Sequence, residues 1–211
     1  MSAAAACAAL ATFLAWPGVL GGGGGHEWLS AFNGYGKVSV AGSGPATVIS
    51  LAPTPARTRE VTHSALVVST RWYGDFAVTL RLRTLRQLRQ GPAGQPHPWE
   101  VAWVVWHYSS NQRFYALTLE AGGWVLSKQD SAYPGGERFL ASAPTPRFRI
   151  GAWHTVGIVQ IGNQIDVSAD GQLLTRFTDT QQPYLNGALG VYSEDAAAQF
   201  DHIRLHALTS S

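Results

Sequence analysis

Cysteine, charged residues and nucleotide-binding motifs are scarce in this chain, and each shortage excludes a class of protein. With one cysteine, Cys7, the chain has no internal disulfide framework and no basis for cysteine catalysis in its main part. Charged residues make up 13% of the 211 residues and form no basic run, so we expect no nucleic-acid partner. Phosphate loops, dinucleotide fingerprints and a Gly-x-Ser-x-Gly nucleophile elbow are also absent.

The first 25 residues differ in composition from the rest. Residues 3–20 are apolar and uncharged, and a glycine run, Gly21–Gly25, follows them. This pattern is typical of an export signal with a flexible spacer, although a segment of this length could also stay as a membrane anchor. We therefore predict a leader over residues 1–25, a secreted or cell-surface protein with no other membrane contact, and one folded domain over residues 26–211.

Short strand patterns separated by turn residues fill the chain from Trp28 onward. Val78, Leu80 and Leu82 alternate with polar residues, as expected for a strand with one buried face. Gly162-Asn163 and Asp170-Gly171 join predicted strands, and Asp170-Gly171 is a strong signal for a tight hairpin, since both of its residues tolerate a positive φ. The sequence therefore predicts an all-β fold, a two-sheet antiparallel β-sandwich of the jelly-roll type.

A tryptophan-rich strand is the strongest indication of function. Side chains alternate along a strand, so Glu100 and Trp106 share one face, while Trp99 and Trp103 share the other. Indole rings stack on the C–H faces of sugars, and carboxylates accept hydrogen bonds from sugar hydroxyls. We expect the face with Glu100 and Trp106 to meet a ligand, and Trp99 and Trp103 to fill the core. The alternative is that all these rings fill a large core.

The last third of the chain resembles a known group of jelly rolls. The segments that carry the resemblance are Trp124–Lys128, Gly151–Val156, Asn163–Val167, Asp170-Gly171, Gly187–Tyr192 and Phe200–Leu205. Their order is similar to that in concanavalin A-like lectins and glucanases, above all laminin-G-like domains and the 3-keto-disaccharide hydrolase domain, which is akin to glycoside hydrolase family 16. The resemblance covers residues 64–206 and implies a glycan ligand on the concave sheet. It also implies a structural Ca²⁺ ion held by Asp201.

The strands that we expect to be neighbours in that concave sheet carry a set of predicted ligand-binding residues. Forked arginine donors, carboxylates and an indole together suit a hydroxyl-rich or acidic sugar. The alternative is a solvated outer face with weak ion pairs. The predicted ligand-binding residues are Arg81, Arg83, Glu100, Trp106, Thr118, Glu120 and Lys128.

Catalysis is left open by the sequence. Family 16 hydrolysis uses a strand with alternating carboxylates, and this chain has no Glu-x-Asp-x-Glu motif. We expect a secreted carbohydrate-binding domain that is a monomer. One alternative is a glycan-degrading enzyme with Glu100 or Glu120 as its acid/base. Another is a protein-interaction module of the laminin-G-like kind.

Overall fold

A computed structural model describes residues 27–91 and 94–208, so the predicted leader lies outside the described residues. The described regular structure is β-strand except for one 3-10 turn, Gly44–Ala46, and no described helix is long and apolar enough to cross a membrane. The strands are β1 (Trp28–Asn33), β2 (Lys37–Ala41), β3 (Val48–Ala52), β4 (Ser64–Tyr73), β5 (Phe76–Gln87), β6 (Ala102–Ser110), β7 (Arg113–Glu120), β8 (Gly123–Asp130), β9 (Glu137–Ala143), β10 (His154–Ile161), β11 (Gln164–Ala169), β12 (Gln172–Thr178), β13 (Gly187–Glu194) and β14 (Ala196–Ala207).

The strands form two sheets of seven strands each. The front sheet has the order β1-β4-β13-β6-β7-β8-β9, and the back sheet has the order β12-β11-β10-β5-β14-β3-β2. Neighbouring strands pair antiparallel in both sheets. This arrangement confirms the predicted all-β, two-sheet antiparallel sandwich.

Tight hairpins join three consecutive strands, β10, β11 and β12, at one edge of the back sheet. Asp170 and Gly171 both adopt a positive φ, 49° and 81°, in the turn between β11 and β12. Gly162, at φ 54°, lies in the turn between β10 and β11. A two-residue turn of this hand matches the right-handed twist of the paired strands, so the predicted connections at both turns are confirmed.

The main core lies between the sheets and follows the alternation of the strands. Leu80 and Leu82 of β5 and Val104 of β6 are among its fully buried members. Because alternate residues of each strand point inward, the two inner faces interdigitate and exclude water.

A second apolar cluster lies on the outward side of the front sheet, which we call the front face. Five of its buried members are Leu66, Val68, Trp103, Val105 and Phe114. An outward sheet face is usually solvated, so a buried cluster on this side marks a surface that other groups cover in part.

The loop that precedes β6 supplies part of this cover. The Trp103 indole nitrogen donates to the backbone oxygen of Trp99 at 2.7 Å, and the His97 ring stacks on Trp99 with 4.4 Å between the ring centroids. Trp99 packs against the outward cluster. The front face is therefore an aromatic surface with one wall formed by this loop.

The predicted face assignment of β6 is wrong. Trp106 has no exposed surface, lies in the core between the sheets and donates its indole N–H to Gln160 Oε1 at 2.7 Å. Trp103 lies instead on the front face, where we expected Trp106. Alternation groups the residues of a strand correctly, but it does not determine which group faces inward.

Candidate functional site

The seven predicted ligand-binding residues do not come together. Arg81 and Arg83 lie on the outward side of the back sheet, while Trp106 and Lys128 are buried inside the sandwich. Glu100 is buried at the start of β6. The front face holds the other two, Thr118 and Glu120.

Leu80 and Leu82 of β5, a strand of the back sheet, point into the core between the sheets. Arg81 and Arg83 alternate with them along the strand, so both arginines point outward, away from the front sheet. Both guanidinium groups lie over the Trp153 ring, at 4.9 Å and 4.7 Å from its centroid. The prediction that these arginines share a groove with Glu100 and Glu120 is therefore wrong.

Asp201, the predicted calcium ligand, is paired with Arg81. The Arg81 Nε and Nη2 atoms donate to the two carboxylate oxygens at 2.8 Å each, and His202 Nδ1 lies 3.0 Å from one of them. The Arg81 hydrogen bonds lower the pKa of Asp201. Because both of its oxygens accept hydrogen bonds from the Arg81 guanidinium, the Asp201 carboxylate is not suited to bind Ca²⁺. Within the described residues, no three His, Cys, Asp or Glu side chains are placed to hold a metal ion.

Glu100 belongs to a buried charge network. Arg89 Nε donates to Glu100 Oε1 at 2.6 Å, and Arg89 Nη2 donates to Asp195 Oδ2 at 2.8 Å. The same guanidinium donates to the backbone oxygens of Thr58 and Val61. Burial raises the pKa of Glu100, although Arg89 opposes this effect. The network ties the 53–63 loop to β6 and β13, so Glu100 has a structural role and is not accessible to a ligand.

Lys128 is the second buried charge. Its ammonium donates to Asp179 Oδ2 and to the Gln181 backbone oxygen at 2.7 Å each, and to the Gln182 backbone oxygen at 2.9 Å. The Tyr115 hydroxyl donates to the same Asp179 oxygen at 2.5 Å. Every ammonium proton therefore has a partner inside the protein, and Lys128 holds the 179–184 segment against the core instead of meeting a ligand.

Thr118 and Glu120 of β7 lie on the front face, where Thr118 is buried and Glu120 is half-buried. Thr118 pairs with Trp103 across β6 and β7, and its hydroxyl donates to Glu120 Oε1 at 2.9 Å. Glu120 is half-buried, and burial raises its pKa. A half-buried carboxyl group beside an indole and a hydroxyl is a typical binding-site environment.

Glu194 and Tyr192 extend this region onto β13. Tyr192 pairs with Trp103 on the front face, and its ring contacts the Trp103 indole edge-on at 5.1 Å. The Tyr192 hydroxyl donates to Glu194 and lies 2.9 Å from the Ser64 hydroxyl. Burial, followed by the nearby carboxylates of Glu137 and other residues, raises the pKa of Glu194 to about 7.

Glu137 of β9 completes a group of three front-face glutamates with Glu120 and Glu194. It is half-buried beside Ser127, and burial together with the negative charge of Glu120 raises its pKa. Alternation and register place all three side chains on the front face, on β7, β9 and β13, and the negative charge of Glu137 contributes to the raised pKa of Glu194.

Exposed rings lie on the same face, at the opposite end of β13 from Glu194 in the case of Trp72 and next to Glu137 in the case of Phe139. Trp72, 61% exposed, pairs with Ala188 of the outward cluster, and Phe139, 59% exposed, pairs with Ser127 beside Glu137. We define the front-face site by these rings, the glutamates and their neighbours: Trp72, Trp103, Thr118, Glu120, Ser127, Glu137, Phe139, Tyr192 and Glu194. Such a surface offers stacking platforms and hydrogen-bond acceptors, and Glu194, whose pKa is raised to about 7, can exchange a proton near neutral pH.

Glu137 and Glu194 were not among the predicted ligand-binding residues, for two different reasons. No strand was predicted over the region of β9, although Phe139 and Leu140 between polar residues are a usable strand signal. Glu194 is adjacent to Asp195, and adjacent strand residues point to opposite faces, so that pair is not a catalytic dyad. Its relevant partners lie on other strands.

A family comparison decides the classification. The sequence model of the 3-keto-alpha-glucoside-1,2-lyase-like domain matches residues 29–206, most of the chain and nearly all of the described sandwich. The chain belongs to this family. As a 3-keto-alpha-glucoside-1,2-lyase-like domain, it is a jelly roll of the carbohydrate-binding or glycosyl-hydrolase-like type. The predicted resemblance to the 3-keto-disaccharide hydrolase domain is confirmed.

Solved structures with low sequence identity share the sandwich of this lyase-like domain. The carbohydrate-binding module CBM66 from Bacillus subtilis is 11% identical, with a TM-score of 0.61, and the match covers 86% of this chain and 96% of the module. A Bacillus subtilis protein of unknown function with a galectin-like fold is 12% identical (TM-score 0.54; coverage 85% and 89%). A Bacteroides ovatus GH16 protein from a mixed-linkage glucan locus, in complex with a G4G4G3G product, is 11% identical (TM-score 0.51; coverage 80% and 85%).

At these identities, the matches establish the fold of the lyase-like domain and nothing more specific. No curated protein matches its sequence significantly. The residues of its front-face site therefore have to be interpreted from their own chemistry.

Proposed function

We propose that the front-face site binds a neutral, hydroxyl-rich glycan. The observation that carries this proposal is the position of Glu120, Glu137 and Glu194 on one sheet face that also presents exposed aromatic rings. Membership of a carbohydrate-active family supports a sugar as the ligand. The fold shared with CBM66 is compatible with such a role.

The charge of the site favours a neutral sugar over an acidic one. Three carboxyl groups on one face repel an anionic ligand as soon as they ionise, whereas sugar hydroxyls can donate hydrogen bonds to them. Trp72 and Phe139 are exposed enough to stack on pyranose rings at the margins of the site.

A glycan array followed by calorimetry on the best ligand tests this proposal. We expect Trp72→Ala and Glu120→Gln each to weaken binding about tenfold or more, which corresponds to the loss of one stacking or hydrogen-bonding contact. Matched controls on the back sheet are Ile161→Ala, which removes a similarly exposed apolar side chain, and Asp166→Asn. If the front-face and control variants bind alike, or if a protein rather than a glycan is retained, the proposal is wrong.

Catalysis at the same site is a second candidate function, favoured by the pKa of about 7 at Glu194. A 1,2-lyase that acts beside a 3-keto group must remove a proton next to that ketone, and a carboxylate with a raised pKa is an effective general base for this step. Glu120 is the other candidate for acid/base chemistry, whereas Glu100 is engaged by Arg89.

Turnover of a 3-keto-α-glucoside distinguishes the enzyme from a pure binding domain. We expect the wild type to form product and Glu194→Gln to lose most of this activity while still binding substrate. Glu100→Gln serves as the control at a buried carboxylate. Binding without turnover by the wild type would limit the function to recognition.

We also propose that residues 1–25 direct export, as their composition suggests. Mass spectrometry of the protein recovered from the medium and from the cells of an expressing culture tests this. A processed form outside the cells supports export, and a full-length form confined to the cell interior contradicts it.

A further inference from the structure

A cleft at one edge of the sandwich is separate from the front-face site. It has a volume of about 330 Å³ and lies where β1 and β4 of the front sheet meet β14 and the 3-10 turn of the back sheet. Its lining includes Glu27, Trp28, Arg71, Tyr73, Arg204 and Leu205. This volume is within the range of natural small-molecule sites.

The walls of the cleft combine aromatic rings with free cationic groups. Trp28 and Tyr73 pack against the main core and expose part of their surface to the cleft. The Arg71 and Arg204 guanidinium groups form no hydrogen bond or ion pair with the part of the chain that the structure describes. Unpaired arginines at a concave, partly apolar site are available to bind a carboxylate through two parallel hydrogen bonds.

Tyr73 lines the cleft together with two residues of opposite charge, Arg71 and Glu27. Burial raises the pKa of its hydroxyl, and the charges of Arg71 and Glu27 act on it in opposite directions. Arg71 and Glu27 line the same cleft as the phenol and form no ion pair with each other. Glu27 Oε2 accepts a hydrogen bond from the Gly44 backbone at 3.2 Å, which holds the carboxylate at the cleft wall.

We propose that this cleft binds a carboxylate-bearing pyranose, such as a hexuronic acid. Arg71 forms the fork to the sugar carboxylate, Glu27 accepts hydrogen bonds from sugar hydroxyls, and Trp28 and Tyr73 contact the apolar ring face. The two arginines outnumber the single glutamate, so the lining is net positive and favours a ligand with net negative charge over a neutral one. The inference does not depend on the glycan proposed for the front face, whose acidic character selects against the same ligand.

Calorimetry with the full chain and glucuronate, with glucose as the neutral counterpart, tests the proposal. We expect glucuronate to bind at least tenfold more tightly than glucose, because glucose lacks the carboxylate that the arginine fork recognises. Arg71→Ala is expected to weaken glucuronate binding about tenfold or more. Arg71→Lys should lie between this variant and the wild type, since it keeps the charge but loses the fork.

The controls separate this cleft from other surfaces. Arg176→Ala removes an exposed arginine on β12 and is expected to bind glucuronate like the wild type. Asp166→Asn removes an exposed carboxylate of the back sheet and should also leave glucuronate binding unchanged. Equal affinity for glucose, wild-type binding by Arg71→Ala, or displacement of glucuronate by the zwitterion phenylalanine would each overturn the assignment. Thermal melting of each variant checks that the exposed Arg71 position tolerates the substitution.

Discussion

The Lys128 ammonium lies 2.7 Å from Asp179 Oδ2, and neither side chain has meaningful contact with solvent. This pair, with the Tyr115 hydroxyl on the same oxygen, connects β8 and β7 to the 179–184 segment. The hydrogen bonds from Lys128 and Tyr115 keep the pKa of Asp179 low although burial opposes this effect. A buried pair of this kind depends on both partners, because either charge alone is strongly disfavoured in the interior.

Removal of the Lys128 charge is expected to cost much stability. Lys128→Met leaves Asp179 buried without its cation, so we predict a loss of about 3 to 5 kcal/mol in the free energy of unfolding. Urea denaturation measures this value. The control is Arg176→Ala, which breaks an exposed ion pair with Asp166 and is expected to cost less than about 1 kcal/mol. Similar values for the two variants would show that the buried pair is not formed.

We predict that substitution of Glu100 affects stability, whereas substitution of Glu120 affects glycan binding. Glu100→Gln weakens a hydrogen bond to Arg89 in the interior, so the free energy of unfolding should fall by about 1 to 3 kcal/mol while glycan binding stays unchanged. Glu120→Gln should show the opposite pattern, with weaker binding and nearly unchanged stability. Parallel denaturation and calorimetry of both variants check the prediction, which fails if Glu100→Gln lowers affinity without lowering stability.

The raised pKa of Glu194 predicts a pH dependence of stability. Between the usual value of about 4.5 and the folded value of about 7, the native state retains a proton that the unfolded state has lost. Stability therefore falls as the pH rises through this window, by about 2 to 3 kcal/mol for this group. Urea denaturation at intervals from pH 4.5 to 8 measures the slope.

Glu194→Gln is the control for this slope, since the difference from wild type isolates Glu194 from other titrating groups. One of these is His107, whose pKa is lowered by burial and whose effect therefore has the opposite sign. If wild type and Glu194→Gln share the same pH profile, Glu194 is not protonated in the fold near neutral pH.

The interior position of Trp106 can be checked by a conservative change. Trp106→Phe keeps an aromatic ring in the core but removes the donor to Gln160 Oε1, so we predict a loss of about 1 to 3 kcal/mol in the free energy of unfolding. Glycan affinity should be unchanged. If Trp106→Phe lowers glycan affinity and leaves the free energy of unfolding unchanged, Trp106 contacts the ligand and the prediction is wrong.

More of the fold than of the candidate site could be predicted from the sequence. Alternation in β5 and the Asp170-Gly171 turn depend on neighbours in the chain, so local patterns suffice to predict them. The face of β6 that meets solvent depends on which sheet the strand joins and on what covers it. Trp103 and Trp106 therefore exchanged roles between prediction and structure.

The roles of the buried charged residues could not be predicted from local sequence either. The role of Lys128 depends on Asp179, and that of Glu100 depends on Arg89 and Asp195, all brought together only by the fold. A lone charge in a strand pattern does not indicate whether a partner far along the chain will neutralise it. Strand alternation alone places Thr118 and Glu120 on the same face of β7, and the roles predicted for them remain predictions.

The most direct test of the account compares glycan binding by front-face and back-sheet variants in one titration series. We predict that Trp72→Ala, Phe139→Ala and Glu120→Gln each weaken binding of the best array ligand about tenfold or more. Ile161→Ala and Asp166→Asn should bind with wild-type affinity. Wild-type affinity in all three front-face variants, or equal losses in the back-sheet controls, would contradict the assignment of the glycan site to the front face.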